Sequence, residues 1–365
     1  MEAASIEKME RLLGKLQAGE VVQAKNAAAT AALIASKVRR SKVSLDDVQR
    51  LSTGFLDDRR QSMKGVLGAQ AYSMPEVDFV FFPILESCAA TFIDQDRTTV
   101  MLSLGMVEAL RLSVASAQLN SAIQRVEQDE ALTTEWGTDR HHGAIEQLRT
   151  MTQYFNAAAV LHFKEPKQLP GAASLLDPAT RHRVDVVLEA VMMFILLHEL
   201  GHVDFHRSSR RPSEDAYLAW EFVVPEDVDQ AKAEELYADR YALEAVPNAF
   251  ALPLAHAATF FLHLYNYVDA SSPERPSTHP LGVNRIAALF AAAKEKSSSE
   301  QVGRAAVTRA IEDGASLWAR PDAPFSLGAL RTYAEGLSKT DWRPAQGALL
   351  LLARRDQPGA ANAVS

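Results

Sequence analysis

The stretch Phe194-Ile195-Leu196-Leu197-His198-Glu199-Leu200-Gly201-His202 decides the reading of this chain: an apolar run ends in two histidines four residues apart, with a glutamate beside the first. From Arg183 to about His206 the apolar positions Val186, Val187, Ala190, Val191, Phe194, Ile195 and Leu197 follow a helical period, so the pair lies late in a largely buried helix. Four residues on a helix advance about 400° and roughly 6 Å, which puts both imidazoles on one face at a separation that one metal ion can bridge. Glu199 is displaced from such an ion but within reach of a water in its open coordination position, the place of a general base. A buried helix would otherwise leave His and Glu unpaired against a dry core, and metal ligation is the natural compensation. Gly201 allows another backbone to approach.

A catalytic zinc usually takes three protein ligands and a water. Downstream, Glu234-Glu235-Leu236-Tyr237-Ala238-Asp239-Arg240 reads as a helix on which Glu235 and Asp239 are again four apart on one face. Glu235 is the expected third ligand, and Asp239 the acceptor that orients a ligand imidazole. Glu234 is the alternative ligand if the helix is rotated by one residue. His206 forms a second four-residue pair with His202 but lacks a glutamate in the place of the base, and Asp204 stands where such motifs are often apolar.

Composition narrows the class. The 365 residues are 47% hydrophobic and 23% charged, as in a globular protein with ample core. A net charge of −8 and a pI near 5.7 provide no basic field for a phosphate backbone, so nucleic acid is not the expected partner. One cysteine, Cys88, forms no internal disulfide and fits a cytoplasmic chain in which it is a buried structural thiol. The first residues do not read as a signal peptide. The apolar stretches from Val186 to Leu197 and from Ala249 to Val268 are too short or too polar for a stable membrane span.

The expected fold class is α+β and mainly helical, with a small antiparallel or mixed sheet. An N-terminal helical region occupies 1–75, a catalytic domain 76–290 with a helical and loop insertion at about 121–180, and a C-terminal helical region 291–365. Ala89 to Ile93 and Thr98 to Leu102 flank the polar turn Asp94-Gln95-Asp96-Arg97 and read as a β-hairpin leading through Gly105 into a helix from Met106 to about Leu119. Further helices are expected at Ser213–Phe222, Asp229–Glu244, Phe250–Tyr267, Val302–Trp318, Leu327–Leu337 and Ala345–Arg355.

With Ser277-Thr278-His279-Pro280 and Arg285 added, the motifs resemble those of the gluzincin zinc metallopeptidases, in particular the CAAX-prenyl-protease-like group and its bacterial heat-shock relatives. The resemblance covers roughly 183–290. It implies a zincin-like domain built around the motif helix, Zn2+ as cofactor and a protein or peptide substrate. By the same resemblance His279 would stabilise the oxyanion, and Arg285 would pair with Asp239 or neighbouring carboxylates. The chain departs from the prenyl-protease group in lacking clear membrane spans, and in this it is similar to the Lit-type phage-exclusion peptidases. The expected activity is that of a zinc endopeptidase with Glu199 as base. The rivals are an aminopeptidase or other zinc amide hydrolase, and a catalytically inactive helical interaction protein.

Overall fold

Helices dominate the computed structural model, which describes residues 22–23, 77–82, 87, 89–94, 97–164, 175–207, 230–270, 280, 282–297 and 327–355. The expected helices of the first seventy residues, of 213–222 and of 302–318 lie outside the described residues, as do Cys88 and His279. The chain divides into two compact units, 1–107 with 189–314 and 108–188 with 315–365.

The first unit contains a four-stranded sheet in the order β1-β3-β4-β2, formed by β1 (Val22–Gln23), β2 (Val77–Phe82), β3 (Ala89–Asp94) and β4 (Arg97–Ser103). β3 and β4 pair antiparallel from Ala89↔Leu102 to Asp94↔Arg97, β2 runs parallel to β4, and β1 runs antiparallel to β3. Val100, Met101 and Leu102 of β4 are consecutive and all buried, as a central strand covered on both faces requires. Ser103 ends β4 and starts α1 (Leu104–Gln128), its Oγ accepting the Met106 N–H at 3.0 Å as an N-cap. The helix runs nine residues beyond the expected end at Leu119, because Ala122, Ile123 and Val126 continue its buried stripe.

The second unit holds most of α1, together with α2 (Glu130–Trp136), α3 (Thr138–Lys164), the start of α4 (Pro178–Arg207), α8 (Leu327–Leu337) and α9 (Arg343–Arg355). Helices α8 and α9 pack on α3, where Tyr154 meets Trp342 at 5.8 Å between ring centres. The long helix α4 begins at Pro178, earlier than Arg183, since proline suits a first helical position and Asp177 Oδ1 accepts the N–H groups of Ala179 and Thr180. By length and composition Pro178–Phe205 could cross a membrane, but 67% of its most apolar window is buried inside the protein.

From Glu189 onward α4 belongs to the first unit, with α5 (Gln230–Glu244), α6 (Asn248–Ala270) and α7 (Gly282–Ser297). Helix α7 packs on both α5 and α6. Ala233 and Leu236 of α5 form an apolar cluster with Ala288 of α7, and Lys296 Nζ donates to the Glu244 carbonyl at the end of α5.

Candidate metal and catalytic centre

Along α4 the buried residues Val184, Leu188, Val191, Ile195, His198 and His202 are spaced alternately four and three apart, forming a single stripe. The two histidines therefore occupy core positions, where a polar side chain is costly unless something satisfies it. On α5 a matching stripe is formed by Glu235, Ala238, Asp239 and Ala242, all buried. The stripes meet at Gly201 and Ala238. A Cβ added at Gly201 would lie 2.6 Å from Ala238 Cα, so the two backbones touch and only hydrogen fits at position 201. Each helix carries functional side chains three residues before and one residue after the crossing: His198 and His202 on α4, Glu235 and Asp239 on α5.

At this crossing three acceptor atoms converge. The Nε2 atoms of His198 and His202 are 3.1 Å apart, and Glu235 lies 3.3 Å from the first through Oε2 and 3.6 Å from the second through Oε1. The far sides of the rings face other carboxylates. His202 Nδ1 donates to Glu234 Oε1 at 2.7 Å, and His198 Nδ1 lies 2.9 Å from Asp239 Oδ1, close but poorly aligned for a hydrogen bond. A carboxylate only accepts, so in the neutral tautomer a hydrogen on Nδ1 leaves Nε2 as a lone pair. Two such lone pairs and a carboxylate aimed at one another call for a cation between them. The group His198, Glu199 and His202 could hold a metal ion.

Charge leads to the same conclusion. Glu234, Glu235 and Asp239 are at most 6% exposed, and the one buried guanidinium beside them, Arg285, is 1% exposed. Three carboxylates therefore gather around the two rings in a dry interior, a setting that favours a cation. Arg285 grips Asp239 with two hydrogen bonds, Nε to Oδ2 at 2.8 Å and Nη2 to Oδ1 at 2.7 Å, and reaches Glu235 Oε2 at 3.6 Å through Nη1. Burial opposes the charge on Asp239 and Glu235, yet Arg285 and His198 hold both carboxyls below their ordinary range, Glu235 well below it. Burial also lowers the pKa of His198, but Asp239 and Glu235 outweigh it and raise it to about 9.

Of the residues singled out in the sequence, the structure brings together His198, Glu199, His202, Glu235, Asp239 and Arg285. Glu234, the alternative ligand, lies one residue of helical rotation from Glu235 and faces the outer nitrogen of His202, where its carboxylate orients the ring. Asp204 accepts a hydrogen bond from Tyr237 Oη, so the acidic residue after the motif ties α4 to α5. His206 lies within α4, but its side chain is outside the described residues. Sequence reading missed Thr91 on β3, which is 2% exposed and whose Oγ1 lies 3.0 Å from Glu199 Oε2. Nothing in the sequence links these two residues, 108 positions apart.

No curated protein and no solved structure matches this chain. The family model described as Peptidase U49 matches residues 112–305, more than half of the chain and a span that contains both crossing helices and Arg285. The chain thus belongs to the Peptidase U49 family, a family of peptidases.

Proposed function

We propose that the chain is a zinc-dependent endopeptidase that cuts a protein substrate, with His198, His202 and Glu235 as metal ligands and Glu199 as general base. The reading is carried by the convergence of two imidazole Nε2 atoms and one carboxylate, 3.1 to 3.6 Å apart, inside a buried cluster rich in carboxylates. Ligand atoms about 2.0 to 2.2 Å from a tetrahedral zinc are themselves roughly 3.3 to 3.5 Å apart. The donor set therefore fits zinc. When bound, the ion would lower the pKa of a water to about 7 and polarise the carbonyl oxygen of the substrate.

The side chains of the protein do the rest. Glu199, half-buried at the edge of the cluster, takes a proton from the attacking water as the C–O bond forms. It returns the proton to the amide nitrogen as the C–N bond breaks, leaving a carboxylic acid and an amine. Glu234 and Asp239 fix the two rings from behind, and Arg285 fixes Asp239. Arg285 is buried beneath that carboxylate, so it acts by positioning, away from the substrate. His279 is proposed as oxyanion donor on the resemblance alone. The zincin-like nature of the sheet and a cytoplasmic location belong to the same proposal, the latter supported by the lone cysteine.

Purified chain and Glu199→Gln are compared on a peptide library, with bound metal measured in both. Internal cuts by wild type, about one zinc per chain in each protein, and a 10²- to 10⁴-fold loss in the variant are expected. Stepwise loss of N-terminal residues would favour the aminopeptidase. A wild type that binds no metal overturns the proposal.

A further inference from the structure

A general base has to be aimed as well as placed, and a glutamate side chain has three torsions with which to miss. Glu199 has a carboxylate oxygen within 4.8 Å of a ring nitrogen of both His198 and His202, yet neither ring donates a hydrogen bond to it among the described residues. The sheet does. Thr91 lies in β3 opposite Val100 of β4, and both are buried. Its hydroxyl is 3.0 Å from Glu199 Oε2 and 3.3 Å from the Glu199 carbonyl oxygen. Both are acceptors, so the single hydroxyl hydrogen goes to Glu199. Among the described residues it is the one hydrogen-bond donor to that carboxylate. Threonine suits the task because its β-branch stiffens the first torsion and the strand ladder fixes its backbone.

We propose that Thr91 is a positioning residue for hydrolysis: its hydroxyl holds Oε2 of Glu199, leaving Oε1 to take and return the proton. This inference rests on the reading of Glu199 as general base.

Thr91→Val, Thr91→Ser and Glu199→Gln are compared with wild type in the full-length chain. Three quantities are read: bound zinc, kcat and KM on a quenched peptide that wild type cuts, and the affinity for acetohydroxamate by calorimetry. Hydroxamate binds zinc and donates a hydrogen bond to a neighbouring base, so it reports the aim of Glu199 without turnover.

Thr91→Val should keep its zinc and its KM while kcat falls about ten- to a hundredfold, the effect of one hydrogen bond to a charged group. Acetohydroxamate affinity should fall with kcat, and Thr91→Ser should restore most of both. The inference is overturned if Thr91→Val matches wild type, if it loses zinc, or if serine rescues nothing, since the last two mark a packing role. If Glu199→Gln remains active, the reading of Glu199 fails, and with it the inference. If wild type cuts no peptide, hydroxamate decides: weaker binding to Thr91→Val than to Thr91→Ser supports the contact, and equal binding overturns it.

Discussion

Glu234 and Glu235 are neighbours of the same chemical type, both buried, yet they face opposite sides of one imidazole. A helix turns about 100° per residue, so a carboxylate aimed at Nε2 is followed or preceded by one that can reach only Nδ1. The two substitutions should therefore separate. Glu235→Gln removes the carboxylate from the acceptor triangle and should abolish stoichiometric zinc binding. Glu234→Gln keeps an acceptor for His202 Nδ1, though uncharged, and should weaken zinc about 10- to 100-fold while leaving a loaded, active protein. Zinc titrations of the two variants against a competing chelator measure the difference, and equal affinities would exclude this division of roles.

At the scale of elements, the decisive feature is the contact between α4 and α5 at Gly201 and Ala238. In a free helix Gly201→Ala would add about 1 kcal/mol of stability. Here the new Cβ would meet backbone, and overpacking of this kind costs about 1 to 3 kcal/mol. The variant should thus melt lower than wild type and lose zinc because its ligands are pushed apart, while circular dichroism still shows a helical protein. A higher melting temperature with full zinc would refute the close crossing.

Much of this arrangement could be read from residue order. Histidines at 198 and 202 and carboxylates at 235 and 239 declare a shared face through four-residue spacing, and Gly201 declares an approach by another backbone. The partner at that approach, Ala238, was not legible, since alanine is common in helices and marks no contact. Thr91 was hidden for a different reason: strand-to-helix hydrogen bonds depend on tertiary packing, and no period in the sequence encodes them. The role of Asp204 was not legible, because a pattern of usual residues says nothing about Tyr237, 33 positions away, coming to meet it.

For the whole molecule, the buried charge cluster links folding to metal and to pH. His198 is raised from its ordinary 6.5 to about 9. Its contribution to the stability of chelated protein is therefore complete below about 6.5 and lost as pH rises towards 9. Asp239 is lowered from 3.8, so its contribution is complete above that value and lost as pH falls below it. Melting of the chelated protein should be highest at mildly acidic pH and decline on either side. Zinc must displace the proton on His198, so its apparent affinity should rise by about tenfold per pH unit up to about 9. At a thousandfold excess over its dissociation constant zinc should add about 4 kcal/mol of stability. Scanning calorimetry at several pH values, with and without chelator, tests both slopes.

The crossing of α4 and α5 also has a use outside this chain. Its recipe is short: glycine on one helix against alanine on the other, two histidines and two acids at the same offsets from the contact, and an arginine behind the second acid. Nothing in it depends on a loop or a strand. Grafted onto a plain helical bundle whose helices cross at that distance, those seven residues are a compact template to test for metal binding, and a designer could build the site without inheriting the rest of the chain.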